Sequence, residues 1–277
     1  MFRLVCVGVL YLILGCHAAG DWCYEHAECG PSTWAEHFPC CGLNSQSPIN
    51  IVTSEVQHNH NLGPIQISSF ARSSTAVVTN NGHTVEVVLN SLHVLSGAGL
   101  QNAYQLAGFH FHFGSPQSSD QGSEHLIDGN AFPLEVHFVF YNTNYVDLTE
   151  AKTKTDGLAV VGVLFEIGEH NQLLDSLISI LPNVAYKGQE ATFSSVFWKL
   201  LTRSGNSYYK YQGSLTTPPC SENVIWHVIS TPQQLSIFQY EAIVSLLYFT
   251  SDTEEGIPMV DNFRPAQPLN GRIVYKY

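Results

Sequence analysis

Positive charge is scarce in this chain: 11 Lys and Arg stand against 23 Asp and Glu among 277 residues, a net charge of −12. Such a surface repels phosphate backbones, so nucleic acid is not expected as a partner. Charged residues of both signs make up only 12%, whereas 44% are hydrophobic. That balance suits a chain that buries a large core and excludes a disordered one. Also missing are an internal repeat at solenoid or propeller spacing and any Pro, Ser or Gly tract long enough to serve as a linker. One domain is therefore expected, over 21–277. There is no His-Glu-x-x-His helix signature, no pair of Cys-x2-Cys hooks and no Asn-x-Ser/Thr acceptor. These absences argue against a helical zinc peptidase, a cysteine-built zinc site and N-glycosylation.

Only one long apolar run exists, Leu4 to Leu14, after Met1-Phe2-Arg3 and before Ala18-Ala19-Gly20. This order reads as a secretory signal over 1–20, and the run is shorter than the roughly 20 residues a bilayer span requires. Its removal takes away Arg3 and leaves ten basic against 23 acidic residues, a net charge of −13. The chain stops at Ile273-Val274-Tyr275-Lys276-Tyr277 without the spacer and apolar tail of a glycolipid anchor signal. The expected product is secreted and soluble, without a transmembrane segment, and anchored at the cell surface only if a longer version carries such a signal. Beyond the leader, Cys23, Cys29, Cys40, Cys41 and Cys220 remain. Disulfides are expected in an oxidising compartment, and five cysteines leave one thiol over.

Short alternating or aromatic runs separated by Gly and Pro predict strands over 76–79, 84–89, 108–113, 134–141, 158–167 and 224–229. Helical periodicity is confined to stretches such as 172–181 and 233–247, the second opening after Thr231-Pro232. The class is sheet-dominated with few helices.

In Gly108-Phe109-His110-Phe111-His112-Phe113 the two histidines are two apart, so on a strand both imidazoles leave one face and the phenylalanines the other. The run Leu134-Glu135-Val136-His137-Phe138-Val139-Phe140 alternates in the same way. A neighbouring strand would bring His137 to the ion shared by His110 and His112. Three neutral nitrogens leave one tetrahedral position open, the arrangement of a catalytic zinc site. His58 and His60 have the same spacing but no apolar face behind them, which predicts a solvated loop. His125 and His227 are isolated, and structural roles are expected for both.

Taken together, His110-Phe111-His112, Glu135-Val136-His137, Ser123-Glu124-His125, Gly213-Ser214-Leu215-Thr216-Thr217-Pro218-Pro219 and Asn81-Gly82-His83 resemble the alpha-carbonic anhydrases. The resemblance is collinear from Trp22-Cys23-Tyr24 through Ser45-Gln46-Ser47-Pro48-Ile49-Asn50-Ile51 to Asn262-Phe263-Arg264-Pro265-Ala266-Gln267-Pro268-Leu269. It implies an α+β, β-dominated domain around a twisted, mainly antiparallel ten-stranded sheet with short peripheral helices. It also implies zinc as cofactor and the reversible hydration of carbon dioxide to bicarbonate, by a chain expected to be a monomer. Cys41 with Cys220 resembles the bridge of extracellular members, and Cys23 with Cys29 the second bridge of the membrane-linked branch, which would make Cys40 the odd thiol.

By the same resemblance, Thr216 and Glu124 orient the attacking oxygen. Val139, Val160, Leu215 and Trp226 form the carbon dioxide pocket, and Leu148 and Thr217 line the cleft further out. His83 is the proton shuttle, with Tyr24 and Asn81 holding the intervening waters. Glu135 accepts a hydrogen bond from His137, and the carbonyl of Asn262 accepts one from His112. Three positions depart from the pattern: Gly108 stands for a usual glutamine that supports the first histidine, Phe113 for a tryptophan, and Glu86 for an asparagine or glutamine. His110 is then expected to be held more loosely, with glutamine at 108 restoring tight zinc. Glu86, if it faces the cleft, is expected to favour protonated His83. The rival reading is a catalytically silent extracellular binding module on the same fold, and survival of all three metal histidines speaks against it.

Overall fold

A computed structural model describes residues 21–69, 74–197, 199–203 and 207–277. The leader expected over 1–20 lies outside the described residues. Fifteen strands are described: β1 (Asn50–Ile51), β2 (Gln57–His58), β3 (Ile65–Ser69), β4 (Ser74–Asn80), β5 (Val85–Leu89), β6 (His93–Gly97), β7 (Tyr104–Phe113), β8 (Leu126–Ile127), β9 (Leu134–Asn142), β10 (Leu158–Ile167), β11 (Glu190–Ser195), β12 (Tyr208–Gly213), β13 (Val224–Ile229), β14 (Gln233–Leu235) and β15 (Tyr275–Lys276). The helices are short: α1 (Trp34–His37), α2 (Leu148–Ala151), α3 (Asp175–Ile180), α4 (Lys199–Arg203) and α5 (Ile237–Val244).

The main sheet has thirteen strands, which corrects the expected ten. A path runs β11-β4-β5-β7-β9-β10-β13-β12-β15-β2, and β3, β6 and β14 join off it. The sheet is mixed, with parallel pairs β10/β13, β10/β14 and β15/β2 among antiparallel ones. Alternation places Phe109, Phe111, Phe113, Val136, Phe138, Phe140, Val161 and Val163 in one buried cluster. Leu158, Val160, Leu164, Tyr211, Trp226 and Val228 form a second cluster. Strands β7 and β9, which carry His110, His112 and His137, therefore sit centrally, in the path between β5 and β10.

Several expectations change. The segment after Pro232 does not start a helix: Gln233–Leu235 pairs in parallel with β10. The helix begins only after Ser236, whose hydroxyl and Gln239 form a reciprocal capping box. The helix expected over 172–181 shortens to α3 and passes into a 3-10 turn, Leu181–Val184, with a proline at its start. His58 belongs to an exposed strand pairing with Lys276 rather than to a loop. Cys23 bonds Cys29 and Cys41 bonds Cys220. Cys40 is also disulfide-bonded, so it is not the odd thiol expected.

Candidate metal centre

Strands β7 and β9 run antiparallel with His110 opposite His137 and His112 opposite Glu135. Because side chains alternate, all three histidines leave the face opposite the phenylalanine cluster. Their ring centroids lie 5.1 Å (110 to 112), 5.3 Å (110 to 137) and 4.5 Å (112 to 137) apart. One nitrogen from each falls within 4.8 Å of the other two.

Hydrogen bonds settle which nitrogens are available. His112 Nδ1 donates to the carbonyl of Asn262 at 2.8 Å, leaving Nε2 as a buried nitrogen without a partner. His137 Nε2 donates to Glu135 Oε1 at 2.8 Å, which leaves its Nδ1 lone pair free. No hydrogen bond holds the His110 ring among the described residues. Burial is the main reason all three imidazoles have lowered pKa values, His110 down to about 3, with the neighbouring imidazoles of the cluster adding to it. Neutral imidazoles with converging nitrogens fit zinc, which takes three such ligands in a catalytic site.

The ligands rest on buried carboxylates. Burial alone would raise the pKa of Glu135, but the His125 and His137 imidazoles and their hydrogen bonds outweigh it and hold it well below the usual range. Its Oε1 also accepts from His125 Nδ1 at 2.7 Å, and its Oε2 accepts from the backbone N–H groups of Glu124 (3.0 Å) and His125 (2.8 Å). His125 continues to the Tyr211 hydroxyl at 2.7 Å, which donates to Ser47 Oγ at 2.8 Å. Glu124 Oε1 accepts from the Arg264 backbone N–H at 2.8 Å, while Oε2 lies 3.4 Å from His112 Nε2. Burial pushes the Glu124 carboxyl well up; the adjoining Thr216 hydroxyl and the Arg264 N–H pull it down.

The profile of the eukaryotic-type carbonic anhydrase family matches residues 29–277. The chain belongs to that family. It is 43% identical over 257 residues to carbonic anhydrase 7 of Mus musculus, covering 91% of this chain and 96% of that protein. It is 36% identical over 259 residues to carbonic anhydrase 3 of Homo sapiens (92% and 98% covered) and 38% identical over 260 residues to carbonic anhydrase 12 of Homo sapiens (92% and 72%). It is a zinc-dependent lyase that interconverts carbon dioxide and bicarbonate.

In this carbonic anhydrase the cleft over the histidines has a volume of about 420 Å³ and is lined by Val139, Leu148, Leu215 and Thr217 among others. Val160 and Trp226 are buried in the second cluster behind Val139 and Leu215, with the Trp226 ring 4.8 Å from that of His137. Tyr24, Asn81 and His83 also line the cleft. Asn81 Oδ1 accepts from the backbone of His83 and Thr84, and Asn262 Nδ2 donates to the His83 carbonyl. Thr84, unnoticed in the sequence, clamps β5 to the metal strand: its hydroxyl donates to Phe111 O at 2.6 Å and accepts from Phe111 N at 3.1 Å.

Glu86 does face the cleft, but it stands opposite His110, and the carboxylates acting on His83 are Glu25 and Asp21. Burial and Lys187 outweigh them and hold the His83 pKa below its usual value. Gly108 also has a structural reason: a Cβ there would lie 2.8 Å from the Val87 carbonyl oxygen, next to an irregularity in the β7/β9 register. Glutamine could not simply be restored. Phe113 fills the first cluster.

Proposed function

We propose that His110, His112 and His137 hold the zinc, that Thr216 and Glu124 aim the attacking oxygen, and that His83 carries the released proton to buffer. When bound, zinc lowers the pKa of a water from about 15.7 to about 7, an effect for which carbonic anhydrase is the standard example. The chain does the rest. With Glu124 accepting, the Thr216 hydroxyl donates to it and keeps its own lone pairs for the proton of the attacking oxygen, fixing that oxygen's direction. Val139 and Leu215, backed by Val160 and Trp226, offer an apolar surface suited to an uncharged substrate. The His83 imidazole suits a proton carrier near neutral pH.

The observation that supports this reading is the convergence of three free imidazole nitrogens beside the Glu124 carboxylate and its Thr216 neighbour. It also disfavours the silent binding module. Stopped-flow carbon dioxide hydration on protein of measured zinc content tests it. His137→Ala should lose zinc and rate together. Thr216→Val should keep zinc and lose roughly 100-fold in kcat/KM. A zinc-loaded Thr216→Val with the parent rate would remove the oxygen-orienting role.

The disulfides Cys23–Cys29 and Cys41–Cys220 support assignment to the extracellular, membrane-linked branch and secretion of the product. The domain is read as 21–277 and as a working monomer. No helix among the described residues is long and apolar enough to cross a membrane.

A further inference from the structure

The cleft shares a wall with a second pocket of about 370 Å³. Trp22, His83 and Pro218 line both, and the second pocket is edged by Asp21, Glu25 and Lys187. Within that wall the His83 imidazole stacks flat on the Trp22 indole, with centroids 3.8 Å apart and planes 14° apart. Its Nδ1 is buried and has no hydrogen-bond partner, so no hydrogen bond at that nitrogen orients the ring beside the stack.

Trp22 is held in turn. Its ring meets Tyr24 edge-on at 5.5 Å and Trp34 at 5.3 Å. Trp34 is almost fully buried, and its Nε1 donates to the Cys29 carbonyl at 2.9 Å. The backbone N–H of Cys23 donates to that same carbonyl at 2.9 Å, and the Cys23–Cys29 disulfide closes the loop. Trp22, directly before Cys23, is therefore fixed by a covalently closed turn and an aromatic platform.

We propose that the Cys23–Cys29 loop is a positioning device for proton transfer: through Trp22 it seats the His83 ring in the wall between the metal cleft and the acid-edged outer pocket. The imidazole then meets the cleft on one side and an outlet bearing carboxylates on the other. This rests on the reading of His83 as proton carrier. Glu86 and His110 line the cleft with it, and Asp21, Glu25 and Lys187 line the outer pocket. Burial in the stack and Lys187 lower its pKa, and Glu25 and Asp21 act the other way.

The test compares zinc-loaded Cys23→Ser/Cys29→Ser, Trp22→Ala and Trp22→Phe with the parent protein in dilute buffer, where proton export limits kcat. The double cysteine variant and Trp22→Ala should lose kcat several-fold, keep kcat/KM and zinc content, and recover when imidazole buffer is added. Trp22→Phe, which can still stack, should retain kcat. The His83 ring, followed by NMR in the same variants, should titrate at higher pH once burial is relieved. If His83→Ala lowers kcat but both disrupted variants match the parent, the clamp is refuted and the carrier stands. If His83→Ala leaves kcat unchanged, the carrier reading fails and the clamp with it. Should the cysteine variant not fold, the two Trp22 variants decide the outcome alone.

Discussion

Gly162→Ala is the smallest change that probes how the zinc ligands are supported. Gly162 lies on β10 opposite His137, and a Cβ there would stand 2.8 Å from Glu135 Oε1. Ordinary contact begins near 3.4 Å, so the carboxylate must retreat by roughly 0.6 Å. A free glutamate would do so at little cost. This one accepts at 2.8 Å from His137 Nε2 and at 2.7 Å from His125 Nδ1 through the same oxygen, while two backbone N–H groups fix the other. Retreat therefore stretches at least one charge-assisted bond, worth about 1.5–3 kcal/mol. Loss of such a partner typically weakens a metal site by about 10- to 100-fold. We expect zinc affinity, measured by competition with a chromophoric chelator, to fall in that range, with faster zinc release and a lower unfolding midpoint. Affinity within about threefold of the parent would show that Glu135 does not orient His137, because the range expected for a lost partner starts near tenfold.

Two further outcomes follow from burial. Gly108→Gln should lower stability by about 1–3 kcal/mol without tightening zinc, because its Cβ meets the Val87 carbonyl oxygen; urea unfolding and chelator competition check it, and a tighter, equally stable variant would reverse the explanation. His227 is fully buried, with Nε2 3.1 Å from the Ala98 carbonyl, and burial with Lys210 nearby holds its pKa down at about 3. Between the unfolded value near 6.5 and that folded value the unfolded chain binds the extra proton, so stability falls as pH drops, by about 2 kcal/mol from pH 6.5 to 5. His227→Gln should flatten that slope in unfolding midpoints taken at pH 7 and 5, and an unchanged slope would place the acid sensitivity elsewhere.

The metal strands were legible because their signal is local. Alternation of histidine and phenylalanine over 108–113, and of Glu135 and His137 with apolar residues over 134–140, names both the polar face and the packed face without knowledge of the neighbours. The helix boundary near 233 was misread although a local signal was present: Ser236 and Gln239 have capping-box spacing, but Thr231-Pro232 was the more conspicuous start. What surrounds the ligands was much less visible. Tyr211 and Ser47 meet across 164 residues, and Arg264 reaches Glu124 across 140. Gly162 matters for the space it leaves beside a carboxylate on the next strand, which nothing in its own neighbourhood announces. Such contacts arise only when the sheet order is known.

That long-range wiring has a consequence for how the site works as a unit. Glu135 touches Glu124, proposed to orient the attacking oxygen, as well as His137, a proposed zinc ligand, because its Oε2 accepts the backbone N–H of Glu124 and its Oε1 that of the His137 ring. The same carboxylate leads through His125 and the Tyr211 hydroxyl to Ser47, whose Oγ accepts the Ser214 N–H at 3.0 Å two residues before Thr216. Trp226 Nε1 closes the opposite side by donating to the Ser214 carbonyl at 3.0 Å, while its ring abuts His137. The chain from ligand to orienting loop is buried and its members share partners, so deletions within it should not be additive. Removing Tyr211 Oη and Ser47 Oγ together should cost less than the sum of the separate losses, since each leaves the other already without its partner. A strictly additive double mutant would mean that the ligand and the Thr216 loop are held independently, and that their meeting at Glu135 is packing alone.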